Sequence, residues 1–214
     1  MDNKVTVTTY DDLQCGDCTR FNAMLEGALL PKYSSRVTFI HRDFPSVKHG
    51  WAKPAAILGR RFDRPVVNLG FSGNGRMDAA VGDLLTRIDA AVFVIDCLPN
   101  MGAADVRQKC IPLVKQLRAA QPNTPIVLVE DRRNTNAWIL PDRNKHHSDN
   151  HAALRECFAT LQKDGLKGLH YLGGDDLLGH DAEGATDGSH PNDLGFVRQS
   201  DLFEPVIRAA LAVR

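Results

Sequence analysis

Short apolar runs alternate with helical patterns of apolar and polar residues along the whole chain. Most of the runs are rich in β-branched residues and short enough for buried strands; they lie at 5–9, 37–41, 65–69, 91–96, 125–130 and 168–171. The helical patterns between them predict helices at 18–33, 51–61, 77–88, 103–120, 150–164 and 201–213. This alternation predicts an α/β fold, a three-layer α/β/α sandwich with a mostly parallel sheet and helices on both faces.

Two stretches interrupt the pattern and are expected to be loops. Residues 131–149 are rich in Arg, Asn and His, and residues 173–192 are rich in Gly and Asp. Each stretch follows a predicted strand, and ligands of open parallel sheets bind beyond the carboxyl ends of the strands. A site is therefore expected in these loops. His146, His147 and His151 are close in sequence, but without a recognisable carboxylate motif we interpret them as solvated loop residues rather than metal ligands.

The composition fits one compact protein without a strong overall charge. With 214 residues, 43% of them hydrophobic, the chain can bury a large core, and we expect a single domain, 1–214. Twenty-six basic residues balance 26 acidic ones, so no net field favours nucleic acid or an anionic membrane. No apolar run reaches the roughly 18 residues that span a bilayer, and the first residues lack the order of a signal peptide. We expect a cytoplasmic protein that acts on a small molecule. The sequence does not indicate the oligomeric state.

The five cysteines are too few and too scattered for a disulfide framework. Cys110 and Cys157 lie on apolar stripes of predicted helices and are interpreted as small core residues. Cys15 and Cys18 are different, because they follow a predicted strand and open a helix, whose aligned N–H groups favour a thiolate at the first cysteine. Such a pair indicates thiol redox chemistry. A structural disulfide is the alternative, whereas a zinc site needs two further ligands that the sequence does not show.

A second group of residues has the chemistry of acyl transfer. Asp187 and His190 occur in Thr-Asp-Gly-Ser-His-Pro, just before the last predicted helix, and such a site needs a base together with a carboxylate that orients it. Gly73 follows the predicted strand at 65–69, where a missing Cβ lets a backbone N–H approach a substrate oxygen. Asn100 follows the predicted strand at 91–96 and offers a side-chain amide as a second donor. Each feature alone also fits an ordinary turn or a solvated loop.

The order of the candidate residues is that of the later sequence blocks of the SGNH (GDSL) hydrolases: Gly73, then Asn100, then Asp187-Gly-Ser-His190. Residues 52–214 resemble this family, in particular its acetylesterase-like type. The resemblance implies a flavodoxin-like three-layer fold and hydrolysis of a small carboxylic ester, including acetyl groups on sugars, without a metal or an organic cofactor. It assigns oxyanion stabilisation to Gly73 and Asn100. Asp187 and His190 would be the acid and the base.

The serine block of that family is not recognisable. Family members carry the nucleophile in a Gly-Asp-Ser or Gly-Thr-Ser turn after the first strand, and neither tripeptide occurs here. The run at 37–41 stands in that place and leads into a segment, 42–49, whose single hydroxyl is Ser46. Ser46 is the candidate nucleophile, but it falls later than the family's serine and follows a proline. We therefore expect esterase activity to be weak or absent.

The first quarter of the chain resembles a different superfamily. Three segments resemble the opening of a thioredoxin-superfamily disulfide oxidoreductase. They are Tyr10-Asp-Asp-Leu-Gln-Cys-Gly-Asp-Cys18, Val37-Thr-Phe-Ile-His-Arg-Asp-Phe-Pro45 and Trp51-Ala-Lys-Pro-Ala55. The resemblance implies an N-terminal β-α-β unit in which Cys15 attacks and Cys18 resolves.

The later hairpin and cis-proline loop of that superfamily are not recognisable. We therefore interpret the chain as an engineered chimera with a thioredoxin-like segment, 1–55, and a hydrolase-like segment, 56–214. A thiol-disulfide oxidoreductase and a fold-design protein without biological activity are the alternatives.

Overall fold

The structure is a computed structural model that describes residues 5–11, 24–33, 37–43, 52–69 and 73–212. These residues group into two compact units, divided between Ser72 and Gly73. Each unit is described by itself below. The expectation of a single domain stays a prediction.

The first unit contains two parallel strands, β1 (Val5–Asp11) and β2 (Val37–Asp43), paired along their whole length. Parallel neighbours need a crossover connection, and the described part of that connection is helical. It consists of a π-helical turn, Leu25–Leu29, that continues into α1 (Leu30–Tyr33). Helix α2 (Ala52–Phe62) follows β2. The order β-α-β agrees with the unit that the thioredoxin-like resemblance implied.

The predicted strand at 65–69 is wrong. Residues 64–69 form no regular structure, and Val67 is 63% exposed. A strand needs a hydrogen-bonded neighbour, and none of the strands in the described part of the chain pairs with this segment. The apolar run suggested burial but could not supply the neighbouring strand.

The second unit contains a parallel sheet in the order β3-β4-β5, formed by Phe93–Ile95, Ile126–Val129 and Leu169–Leu172. Its helices are α3 (Ala79–Leu85), α4 (Ala103–Ala120), α5 (Pro141–Lys163) and α6 (Asp193–Ala212). The predicted α/β fold of helices and parallel strands is confirmed. In the described part of the chain, no helix combines the length and apolar character that crossing a bilayer requires.

Both faces of the central strand β4 are buried. Ile126 and Leu128 pack in one apolar core with residues of α4 and α5, while Val127 and Val129 point to the opposite face and are also fully buried. Helix α6 contacts β4 and β5. The main core includes these residues of the two long helices: Val106, Cys110, Val114, Leu117, Leu154, Cys157 and Leu161. The prediction that Cys110 and Cys157 are core residues is therefore confirmed.

Two helices begin earlier than predicted. Helix α5 begins at Pro141 instead of residue 150, and α6 begins at Asp193 instead of residue 201. Proline at the first position and acidic residues in the first turn are ordinary start signals. The pattern missed them because residues 141–146 are all exposed and show no apolar periodicity.

All three histidines that were interpreted as solvated loop residues lie on α5, and of the three only His146 is exposed to solvent. His147 and His151 lie on α5 and are 5% and 1% exposed, whereas His146 is exposed. Helix α5 places these two side chains on its inward face, one turn apart. Their partners are described with the site.

Candidate functional site

Asp187 and His190 form a hydrogen-bonded pair in the loop between β5 and α6. Nδ1 of His190 lies 2.6 Å from Oδ2 of Asp187. The backbone N–H groups of Ser189 and His190 donate to the other carboxylate oxygen, Oδ1, at 2.9 and 2.7 Å. Gly188 has φ +82, so the chain turns tightly around the carboxylate. With Nδ1 facing Asp187, Nε2 of His190 is the ring nitrogen that can accept a proton from a nucleophile.

The electrostatics of this pair suit an acid–base role. The hydrogen bond with His190, together with the two backbone N–H groups, holds the pKa of Asp187 well below its usual range. The carboxylate is therefore ionised at neutral pH and can stabilise an imidazolium. The two side chains are 57% and 73% exposed, so a substrate can reach them from solvent.

Gly73 and Asn100 lie side by side. A Cβ at position 73 would be 3.9 Å from Oδ1 of Asn100, and Gly73 has φ +91, a conformation that glycine adopts most easily. Nδ2 of Asn100 donates to the carbonyl oxygen of Gly75 at 3.3 Å, which ties the two loops together. Asn100 ends a 3-10 turn, Leu98–Asn100, directly after β3. The two groups that the hydrolase resemblance assigned to the oxyanion are thus neighbours.

The parallel sheet explains how these two pairs are presented. Asn100 comes shortly after β3 and the Asp187–His190 loop comes after β5. Strands that run parallel have their carboxyl ends at the same edge of the sheet, where open α/β sheets bind their ligands. Asn100 and the Asp187–His190 pair are therefore carried by connections that leave this edge. Ser46, Cys15 and Cys18 lie outside the described residues, so their assigned roles stay predictions.

Arg132 is a site residue that the sequence analysis missed. It comes three residues after β4, and its guanidinium donates to two atoms of Ser189: from Nε to the carbonyl oxygen at 2.9 Å and from Nη2 to Oγ at 3.0 Å. Nearby, the backbone N–H of Thr135 donates to the carbonyl oxygen of Gly188 at 2.8 Å. The only sequence signal for Arg132 was its position beyond the carboxyl end of a buried strand.

Asp96, at the end of β3, is a second missed residue. Burial raises its pKa from 3.8 to about 8, against the lowering effect of the Arg132 charge. Its Oδ2 has no hydrogen-bond partner within the described part of the chain. Asp96 is therefore mainly protonated at neutral pH. No short-range pattern signals this, since an aspartate at a strand end is usually solvated.

The two buried histidines bind the carboxylate that precedes Arg132. Nδ1 of His147 lies 2.6 Å from Oδ2 of Asp131, and Nε2 of His151 lies 2.9 Å from Oδ1. Burial alone would raise the pKa of Asp131, but these hydrogen bonds lower it to about 2. His151 also faces Glu130, with Nδ1 3.2 Å from Oε2. The cluster therefore fixes the chain between β4 and Arg132 by charged hydrogen bonds.

Glu130 is held from the other side as well. It is fully buried and accepts hydrogen bonds from the Tyr171 hydroxyl at 2.6 Å and from the backbone N–H of Gly174 at 2.8 Å. Nε of Arg155 lies 2.7 Å from Oε1. Across the residues that the structure describes, no group of three or more His, Cys, Asp and Glu side chains is arranged to hold a metal ion. This network of contacts joins residues of β5 and α5 to the carboxyl end of β4.

Known proteins with similar sequences and structures fall into two groups. A family profile described as GDSL-like lipase/acylhydrolase matches residues 45–208, and one described as thioredoxin matches residues 1–69. The chain is similar to a Bacteroides ovatus protein described as a GDSL-like lipase, with 29% identity and a TM-score of 0.73, over 99% of this chain and 54% of that one.

A second similar structure is the salicylyl-acyltransferase SsfX3 from a tetracycline biosynthetic pathway. It is 21% identical, with a TM-score of 0.64, over 75% of this chain and 50% of that one. The chain thus spans about half the length of both proteins. No curated protein matches it significantly.

The hydrolase profile covers about three quarters of the chain and includes both pairs of site residues. The fold agrees with that of the similar structures, and the chain belongs to the GDSL-like lipase/acylhydrolase family.

Proposed function

We propose that this chain is a carboxylic ester hydrolase scaffold that retains its acid–base pair and its oxyanion groups but has lost the usual nucleophile. The observation that carries the proposal is the hydrogen bond of 2.6 Å between His190 and an ionised Asp187. The adjacent Gly73 and Asn100 support it, because they offer a backbone N–H and an amide for an oxyanion. The substrate class is a small-molecule ester.

In this reaction a hydroxyl oxygen attacks the ester carbonyl carbon, and its proton passes to Nε2 of His190. The negative charge that forms on the carbonyl oxygen is stabilised by the donors at Gly73 and Asn100. Collapse of this intermediate breaks the bond to the alcohol, which leaves with the proton from His190. Water then enters by the same steps in reverse and releases the carboxylic acid.

The identity of the attacking hydroxyl limits the activity. Ser46 is the candidate, but it lies in Phe-Pro-Ser-Val rather than in the family's Gly-Asp-Ser turn. Loss of a nucleophile typically lowers kcat by several powers of ten, even where the rest of the site is retained. We therefore expect weak or absent turnover.

Turnover of p-nitrophenyl acetate tests this proposal. We expect a rate at or slightly above the uncatalysed one, and any excess should be lost in His190→Ala, because this variant removes the base. Fast turnover that disappears in Ser46→Ala would contradict the loss of the nucleophile. Turnover unchanged in His190→Ala would remove the assignment of the base.

A second candidate function is thiol-disulfide exchange, and the thioredoxin match over residues 1–69 favours it. In this reaction the Cys15 thiolate would attack a substrate disulfide, and Cys18 would then displace the reduced thiol and leave an intramolecular disulfide. Reduction of insulin that is abolished in Cys15→Ser would support this function. An unreactive Cys15 would exclude it.

The overlap of the two matches, 45–69, suggests how the chain arose. We propose an engineered chimera in which a thioredoxin-like segment replaces the serine-bearing start of the hydrolase. If both assays fail while the chain unfolds cooperatively, we would interpret the chain as a fold-design protein without biological activity.

A further inference from the structure

We propose that Arg132 is a positioning residue for the Asp187–His190 pair. It donates two hydrogen bonds to Ser189, one of the two residues between the members of the pair, and these reach a carbonyl oxygen and a hydroxyl at once. Two parallel donors from one planar guanidinium fix orientation as well as distance. The inference rests on the proposed roles of Asp187 and His190.

The loop at 187–190 needs support from elsewhere in the fold, because most of its own hydrogen bonds join residues within the loop. The carboxylate of Asp187 accepts hydrogen bonds from the backbone N–H groups of Ser189 and His190 and pairs with the His190 ring, so these bonds shape the turn without anchoring it to the sheet. The pair is also more than half exposed, so packing contributes little to its orientation. Contacts from the loop after β4 supply the anchor: Arg132 binds Ser189, and Thr135 binds Gly188.

Arg132 is itself held on a rigid base. It follows Glu130 and Asp131, which are 0% and 1% exposed and bound by the network of buried histidines. The charged groups that act on its guanidinium are the carboxyls of Asp96, Asp131 and Asp187. Because burial keeps Asp96 mainly protonated, the ionised partners at neutral pH are Asp131 and Asp187. The guanidinium therefore lies in the electric field of both carboxylates, while its two hydrogen bonds go to Ser189.

The adjacent Arg133 provides a matched control. Its guanidinium binds Asp175 and Asn144, with Nε 2.9 Å from Oδ1 of Asp175, so its hydrogen bonds go to residues other than those at 187–190. Arg132→Met and Arg133→Met thus remove the same charge from the same loop. Only the first removes contacts to Ser189. Arg132→Lys keeps the positive charge but replaces the planar guanidinium, which can donate two parallel hydrogen bonds, with a single ammonium group.

The test is an NMR measurement that needs no catalytic turnover. We expect Arg132→Met to raise the titration midpoint of the Asp187 carboxyl carbon by about one pH unit, because the loop loosens and a nearby positive charge is lost. The amide N–H groups of Ser189 and His190 should exchange with solvent about tenfold faster. Arg133→Met should leave both quantities unchanged, and Arg132→Lys should show an intermediate effect.

Ser189→Ala gives a second, independent variant in case Arg132→Met fails to fold. It removes only the hydroxyl contact, so the exchange rate should increase less than in Arg132→Met. Unchanged Asp187 titration and amide exchange in Arg132→Met, or equal changes in Arg133→Met, would overturn the proposal. These readouts are decisive even if the chain hydrolyses no ester. Where turnover is measurable, kcat should fall about tenfold or more at constant KM, since the lost contact positions the base rather than binding substrate.

Discussion

Replacing Asp96 with asparagine should stabilise the protein by an amount that grows as the pH rises. Asp96 directly follows β3 with its Oδ2 shielded from solvent, and its pKa is raised from 3.8 in an unfolded chain to about 8 in the folded state. The folded state therefore binds this proton more tightly than the unfolded state. The associated stability is fully present below pH 3.8 and is lost as the pH rises towards 8. Asparagine resembles the protonated carboxyl in shape and never ionises.

The magnitude follows from the two pKa values. Each pH unit between the two pKa values corresponds to about 1.4 kcal/mol, so between pH 5 and pH 8 the native chain loses about 4 kcal/mol of stability through this one group. Urea unfolding at pH 5, 6, 7 and 8, followed by circular dichroism, gives the free energy of unfolding of both proteins. The stability advantage of Asp96→Asn over the native chain should increase by about 4 kcal/mol over this range. Titrations elsewhere in the protein cancel in the difference between the two chains.

Asp105→Asn is the control, because it removes an exposed carboxylate from the first turn of α4. The contribution of Asp96 to the pH dependence is the free energy of unfolding of Asp96→Asn minus that of Asp105→Asn at each pH. If the stability curves of Asp96→Asn and the native chain run parallel from pH 5 to pH 8, then Asp96 is not held protonated by burial, and the electrostatic description of this end of the sheet is wrong.

Two further predictions concern the core and the loop that carries Asp187 and His190. Leu154→Ala should lower the free energy of unfolding by about 2 to 5 kcal/mol, because Leu154 lies on α5 and is fully buried in the core that α5 shares with α4. A loss under 1 kcal/mol in urea unfolding would contradict that packing. Gly188→Ala should distort the loop, since φ is +82 and a Cβ would lie 2.6 Å from Nδ2 of Asn136. We expect a loss of the Ser189 amide protection seen by hydrogen exchange while the unfolding midpoint changes little, and retained protection would show that the turn tolerates a side chain.

Local sequence patterns predicted much of the second unit. The apolar run around β4 and the stripes on α4 and α5 depend on periodicities of two and 3.6 residues, which short windows contain in full. The helix starts at Pro141 and Asp193 were missed because exposed first turns carry no apolar periodicity. The run at 65–69 was misassigned because a strand exists only with a neighbour, and the sequence of the run does not specify one.

The sequence by itself determined the family and the pairing of Asp187 with His190, since these two residues and the two between them are contiguous and interact within one turn. Tertiary structure alone decided what surrounds that pair. Arg132 lies 57 positions from Ser189, so their contact exists only after the parallel strands bring their carboxyl ends to one edge. His151 lies 20 positions from Asp131, and their contact exists only after α5 folds back beside the end of β4. The protonation of Asp96 likewise depends on burial, which is a property of the assembled fold and not of the neighbouring residues.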